Sequence, residues 1–153
     1  MKKLSALFFL ILVMLSCALE SKYALPNDEK INLGLLGQWY SDEDEEGTIL
    51  KISKESETRY TLTFIEKGKE QEMTAFSKTI KGHTILNLIS VNEGKTTNIF
   101  YGFVLKDDEL TYYDVNDALK KEDFKSKEEL LAFFEKNVSR NDFFLEPIVL
   151  KRK

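Results

Sequence analysis

Thr58-Arg59-Tyr60-Thr61-Leu62-Thr63-Phe64 decides how this chain is read. Large apolar side chains at 60, 62 and 64 alternate with threonines at 61 and 63. Period two is the mark of a strand with one buried and one wet face. Glu66-Lys67-Gly68-Lys69 follows as a hairpin turn, with Gly68 free to take positive φ. Gln71 to Ile80 then returns antiparallel, with Met73, Ala75 and Phe76 expected inward. Upstream, Gln38-Trp39-Tyr40 and Thr48 to Ser53 read as two more short strands. Downstream come His83 to Val91, Thr96 to Leu105, Leu110 to Val115 and Phe143 to Arg152. Asn92-Glu93-Gly94-Lys95 and Lys106-Asp107-Asp108-Glu109 are the turns between them. Pro147 in the last strand implies an edge, a bulge or an unpaired N–H. Eight short strands in a meander close most readily into a barrel, because closure removes both edges.

One segment breaks the pattern. Ser126-Lys127-Glu128-Glu129 fits a capping box, a hydroxyl with a carboxylate three residues on. Leu130, Leu131, Phe134 and Val138 follow at helical spacing, and a short helix at 118–122 is expected before them. The strand at 96–105 explains why a helix is wanted. Ile99, Tyr101, Phe103 and Leu105 share one face; Phe100, Gly102 and Val104 share the other. Both faces are apolar, so something must cover the outside. The expected fold is therefore all-β over residues 34–153: an eight-stranded antiparallel up-and-down barrel with one amphipathic helix before the last strand.

The N-terminus carries a separate message. Met1-Lys2-Lys3 is basic, Leu4 to Leu15 is almost wholly apolar, and Ser16-Cys17 follows. A membrane-spanning helix needs about 20 apolar residues, more than this segment offers. A basic start, a short apolar run and a small residue describe a secretory signal peptide. Met14-Leu15-Ser16-Cys17 resembles the lipobox of bacterial lipoproteins, and Cys17 is the only cysteine of the chain. The resemblance implies cleavage after residue 16, acylation of Cys17, and a lipid-anchored place in the bacterial cell envelope. Because residue 18 is Ala rather than Asp, it implies the outer membrane if the cell is Gram-negative. Residues 17–33, with Pro26, Asn27 and Asp28, read as a polar tether with a reach of about 20 Å.

Cleavage takes Lys2 and Lys3 from the 22 basic residues, leaving 20 against 26 acidic ones on a chain of 137. That is one domain's length. A net negative chain lacks the basic face that nucleic-acid phosphates demand. With Cys17 acylated no disulfide can form, and the core must rest on eleven Phe, six Tyr and one Trp.

Leu36-Gly37-Gln38-Trp39-Tyr40 resembles the Gly-x-Trp opening of lipocalins and of small bacterial lipocalin-like lipoproteins. There the Trp plugs the closed end of the barrel and an Arg from the last strand packs across it. The resemblance implies this role for Trp39 and Arg152, with Arg140 as a second candidate; a guanidinium over an indole contributes about 0.5–2 kcal/mol. Two features depart from the family. Lipocalins carry their helix after the eighth strand, and their Thr-Asp-Tyr turn is missing at Lys106–Glu109. The pattern supports a lipocalin-like barrel rather than membership of the family.

No catalytic constellation is visible, so the chain is expected not to be an enzyme, and no cofactor is expected. The single histidine, His83, follows Gly82 at a turn and has no nucleophile or orienting partner nearby in sequence. Zinc would need several His or Cys. Asp42, Asp44, Glu46 and Gly47 imitate the start of a calcium loop, but position twelve is Ser53 inside a strand; a solvated acidic tip is the expectation, and no metal site. An eight-stranded barrel is either filled by its own side chains or holds one small ligand. Tyr60, Phe64, Phe100 and Tyr112 are the expected ligand-lining residues. The first expected function is binding of a small apolar or amphipathic ligand at the envelope. The alternative is a protein-interaction module, an envelope accessory factor or enzyme inhibitor, with a filled barrel. The expected partners are membrane lipid through Cys17 and either such a ligand or a protein, with no nucleic acid.

Overall fold

The computed structural model describes residues 18–41 and 47–152. Cys17 with the segment before it, the acidic tip 42–46 and Lys153 lie outside the described residues.

Eight strands form a closed antiparallel barrel. They are β2 (Gly37–Ser41), β3 (Ile49–Lys54), β4 (Tyr60–Glu66), β5 (Lys69–Ile80), β6 (His83–Asn92), β7 (Lys95–Lys106), β8 (Glu109–Val115) and β9 (Phe144–Arg152). Each pairs with the next, and β9 returns to β2 through Trp39↔Arg152, Tyr40↔Lys151 and Ser41↔Leu150. The only α-helix among the described residues, α1 (Lys127–Asn137), precedes the last strand. Its start is the expected capping box: Glu129 N–H donates to Ser126 Oγ (3.1 Å) and Lys125 N–H donates to Glu129 Oε2 (2.8 Å). The expected helix at 118–122 is a single 3-10 turn, Asp117–Leu119. Four of the tight turns put a non-glycine residue at positive φ; in the β4–β5 and β6–β7 turns Lys67 and Glu93 take it just before Gly68 and Gly94.

Register sorts every strand residue into inside or outside. Tyr60↔Ala75, Ala75↔Leu88 and Leu88↔Ile99 place four buried residues on one face, shared with Trp39, Ile52, Leu62, Phe103, Leu110 and Leu150. This is the barrel interior. The intervening residues Phe76, Ile85, Phe100 and Val115 point outward and form a second buried cluster with Leu130, Phe134 and Val138 of α1 and with Phe143. Phe100 meets Phe134 with ring centroids 5.2 Å apart, edge to face. The helix thus covers the apolar outer face of β7. Phe76, expected inward, belongs to this outer cluster, because strict alternation beside the inward Ala75 sends it outside.

β9 contains Pro147, which lies opposite Tyr113. The β8–β9 register shifts between Tyr113 and Val115, so the proline sits beside an irregularity, and the pairing of β9 to β2 involves only residues 150–152.

Residues 18–33, read from the sequence as a tether with Ile31, Leu33, Leu35 and Leu36 apolar enough to lie against the domain, form a strap along the barrel over most of their length. β1 (Glu20–Ser21) pairs with Ile99 and Asn98 of β7, along the stretch of β7 that β8 does not reach. The chain then crosses the outside of β6 and β5. Leu19 and Leu25 are buried. Leu25 N–H donates to Asn87 Oδ1 (3.0 Å), and Asn98 Nδ2 donates to the Ser21 carbonyl (3.3 Å). Lys78 Nζ reaches Asp28 (2.7 Å) and Glu29 (3.3 Å). Their charges and hydrogen bonds hold Lys78 above and Asp28 below their ordinary pKa. The physical reason is a set of apolar anchors within this polar stretch: Leu19, Leu25 and Ile31 are buried, and Tyr23 and Ala24 pack partly against the outer cluster.

Candidate functional site

The two ends of the barrel are built differently. At one end Leu33–Leu35 forms a 3-10 turn that lies across the opening, with Leu35 buried. Trp39 is fully buried behind it and donates its indole N–H to the Leu35 carbonyl (2.9 Å). The Arg152 guanidinium carbon stands 4.4 Å from the Trp39 ring centroid. Arg152 also donates to the carbonyls of Leu36 (2.6 Å) and Gly34, and reaches Asp108 (3.2 Å). The structure therefore brings Trp39 and Arg152 together. Arg140, the second candidate, is instead paired with Asp142 beyond the end of α1.

Gly37 has a physical reason to open this motif. Its φ is +136°, and a Cβ there would stand 2.6 Å from Arg152 Nη1. Only glycine offers both the backbone freedom and the space for the guanidinium.

Ile31 and Tyr60 complete the seal. Ile31 N–H donates to the Glu57 carbonyl (3.0 Å), and Asn32 N–H donates to Tyr60 Oη (2.6 Å). Tyr60 Oη also lies 3.5 Å from Ser77 Oγ. Tyr60 is thus inward-facing as expected, but fully buried and committed to the closed end.

The rest of the inner face is less completely covered. Leu50, Phe64, Met73, Leu86, Tyr101 and Tyr112 share the inner face with Trp39 by register, yet each is only half-buried. On β3, β4, β5 and β8 these residues lie beyond the buried Ile52, Leu62, Ala75 and Leu110, towards the end of the barrel away from Trp39; on β6 and β7 the order is reversed, with Leu88 and Ile99 buried beyond Leu86 and Tyr101. Of the four expected lining residues, Phe64 and Tyr112 lie on this half-buried part of the inner face. Phe100 does not: it lies on the outer face under α1, because Ile99 and Tyr101 on either side of it take the inward positions.

Tyr101 and Tyr112 stand edge to face, with centroids 6.0 Å apart. Tyr101 pairs in register with Asp114, which therefore also points inward. Burial raises the pKa of both phenols, and the Asp114 charge adds to each; Glu20 of β1 and Tyr112 add to Tyr101 as well. Burial likewise raises the Asp114 carboxyl above its ordinary value. Sequence reasoning missed Asp114. Its signal was an acid at an inward position of an otherwise apolar and aromatic strand face.

His83 is half-buried, its ring 5.7 Å from that of Phe144. Among the described residues no group of His, Cys, Asp and Glu is arranged to hold a metal. A shallow charged depression of about 440 Å³ lies outside the closed end, lined by Lys106 to Glu109 with Lys151 and Arg152. Among the described residues no helix is long and apolar enough to cross a membrane.

No protein-family model matches this chain, and searches of the curated proteins and of the solved structures find no significant match. The closed eight-stranded antiparallel barrel is compatible with a lipocalin-like domain.

Proposed function

We propose that this protein is an envelope lipoprotein, anchored by acyl chains on Cys17, whose barrel takes a small apolar or amphipathic ligand through its open end. The observation that carries the reading is the contrast along the inner face. Trp39, Tyr60 and Leu35 are sealed at one end, whereas Leu50, Phe64, Met73 and Tyr112 still meet solvent. Ligand pockets are concave, mostly apolar and carry a few polar groups, and this interior has that composition. Nothing in the site suggests catalysis, and binding is the function proposed.

The strap adds an orientation to the proposal. Ala18 is buried and bridged to Asn116, at the end of β8 beside the open end. One residue spans about 3.8 Å, so acyl chains on Cys17 would enter the membrane close to the barrel opening. One acyl chain holds only marginally and two or more hold firmly. In this reading the opening faces the bilayer, where amphipathic molecules are concentrated.

The test is to purify the protein from a bacterial membrane and analyse it by native and denaturing mass spectrometry. The expected result is acyl mass on Cys17 and a co-purified small ligand lost on denaturation. Cys17→Ser should move the protein out of the membrane fraction. Repeated purification without any ligand would favour a second reading, a protein-interaction module. One observation favours that alternative: Val104 and Val149, 54% and 39% exposed, flank Thr111 on an outer face that α1 does not cover.

A further inference from the structure

We infer that the ligand carries a positive charge, an aliphatic amine or quaternary ammonium on an apolar body, with its cationic group held by Asp114 beside Tyr101 and Tyr112. The inference rests on the binding function proposed above and names the class of molecule bound.

Three observations meet at this place. The first is position: Asp114 is opposite Tyr101 across β7–β8, one strand repeat beyond Tyr112, and all three are half-buried on the inner face. The second is the lack of a protein partner. Among the described residues the Asp114 carboxylate has neither a hydrogen-bond donor nor a cation, and burial alone acts on it. Lys78 of β5, paired with the strap, and Arg152 at the closed end are engaged elsewhere. The register places Lys69 and Lys95 at the exposed hairpin tips, where neither acts on Asp114. The third is the sign of the surroundings. The other charged group acting on Tyr101 is Glu20, also an acid.

A carboxylate that is partly withdrawn from water and has no partner carries a desolvation cost, which a nearby cation would offset. A leucine or threonine at 114 would complete the apolar face without that cost. The acid is therefore explained by something that enters the barrel. Aromatic ring faces attract cations through the ring quadrupole, so two tyrosines beside one carboxylate form a site for an ammonium group. Leu86, Met73 and Phe64 offer the apolar wall for the body of the molecule. An anionic head group would meet Asp114 and Glu20, and among the described residues no cation acts on Asp114 or Tyr101 to compensate.

The experiment compares three probes with the same decyl chain, each used below its micellar concentration: decyltrimethylammonium, decyl maltoside and decyl sulfate. Binding to the purified protein is measured by calorimetry, with and without Asp114→Asn. The expected order is ammonium at least about 10-fold tighter than maltoside, with sulfate the weakest. In Asp114→Asn the ammonium should lose its advantage over the maltoside. Equal binding of all three, tighter sulfate binding, or an ammonium preference that survives Asp114→Asn would overturn the inference while leaving the binding function standing. Binding of none would overturn both. Should the variant fail to fold, the ranking of the three head groups by the unmodified protein decides the question.

Discussion

The inner and outer faces of β5–β7 are made from the same strands and carry similar numbers of large apolar residues, yet they are finished in opposite ways. Outside, Phe76 and Phe100 meet Phe134 and Phe143, all fully buried under α1 and the strap. Ring contacts link Phe100, Phe134, Phe133 and Phe143 at centroid distances of 5.2–5.9 Å, edge to face except for the tilted pair Phe133–Phe143. Inside, Trp39 and Tyr60 are sealed, whereas Leu50, Phe64, Met73 and Tyr112 remain half-buried. The difference teaches where stability and function reside. A barrel that keeps its interior accessible gives up part of its hydrophobic burial. The outer cluster offsets that loss with aromatic packing away from the proposed binding face. The buried amides Asn87 and Asn98 belong to the same solution: they bond to each other (3.0 Å) and to the strap backbone, so the covering segment lies down without leaving its own polar groups unpaired.

The largest test of this division is Phe134→Ala. Removing a fully buried phenylalanine from the outer cluster should cost about 3–5 kcal/mol, measured by urea unfolding. In molecules that remain folded, the affinity for decyl amphiphiles should not change. Arg152→Ala comes next. It leaves the carbonyls of Leu36 and Gly34 without their charged donor and uncovers Trp39, at an expected cost of about 1–3 kcal/mol. Met73→Ala should behave in the opposite sense to Phe134→Ala: a destabilisation of about 1–2 kcal/mol, below the usual range for a buried site, with a loss of amphiphile affinity. Ser126→Ala removes the α1 cap and should cost about 1 kcal/mol, again with binding intact. The smallest effect expected is at Asp114. Its folded pKa is raised, so the folded state binds the proton more readily than the unfolded chain. The ionised carboxylate therefore destabilises the fold above its folded pKa, and this cost disappears as pH falls to the ordinary 3.8. Asp114→Asn should raise the melting temperature at neutral pH, and the gain should shrink as the solution is acidified.

Much of the architecture was legible in the residues. Period-two alternation located all eight barrel strands to within a few residues, and Gly68, Gly82 and Gly94 marked hairpin turns. The capping box located α1, and the two apolar faces of residues 96–105 showed that it must pack outside. Inward or outward assignment was harder where a strand is apolar on both sides. Phe100 and Phe76 could be placed only once Ile99 and Ala75 were known to face in. The strap was hidden by its polar composition, because few large side chains anchor it and its remaining bonds come from Asn87, Asn98 and Lys78 on distant strands. A buried amide amid Ile85, Leu86, Leu88 and Ile89 was the available clue. Asp114 was hidden for the same reason: its neighbour Tyr101 is close only through the β7–β8 register.

The central claim is that the inner face is open to a ligand and the outer face is not. Methyl-resolved NMR during a titration with decyl maltoside, below its micellar concentration, tests it most directly. The account predicts saturable shifts of the Leu50, Met73 and Leu86 methyls, with those of Ile85, Leu130 and Val138 unmoved. Shifts confined to the outer methyls, or inner methyls that stay fixed to the highest concentration, would contradict it.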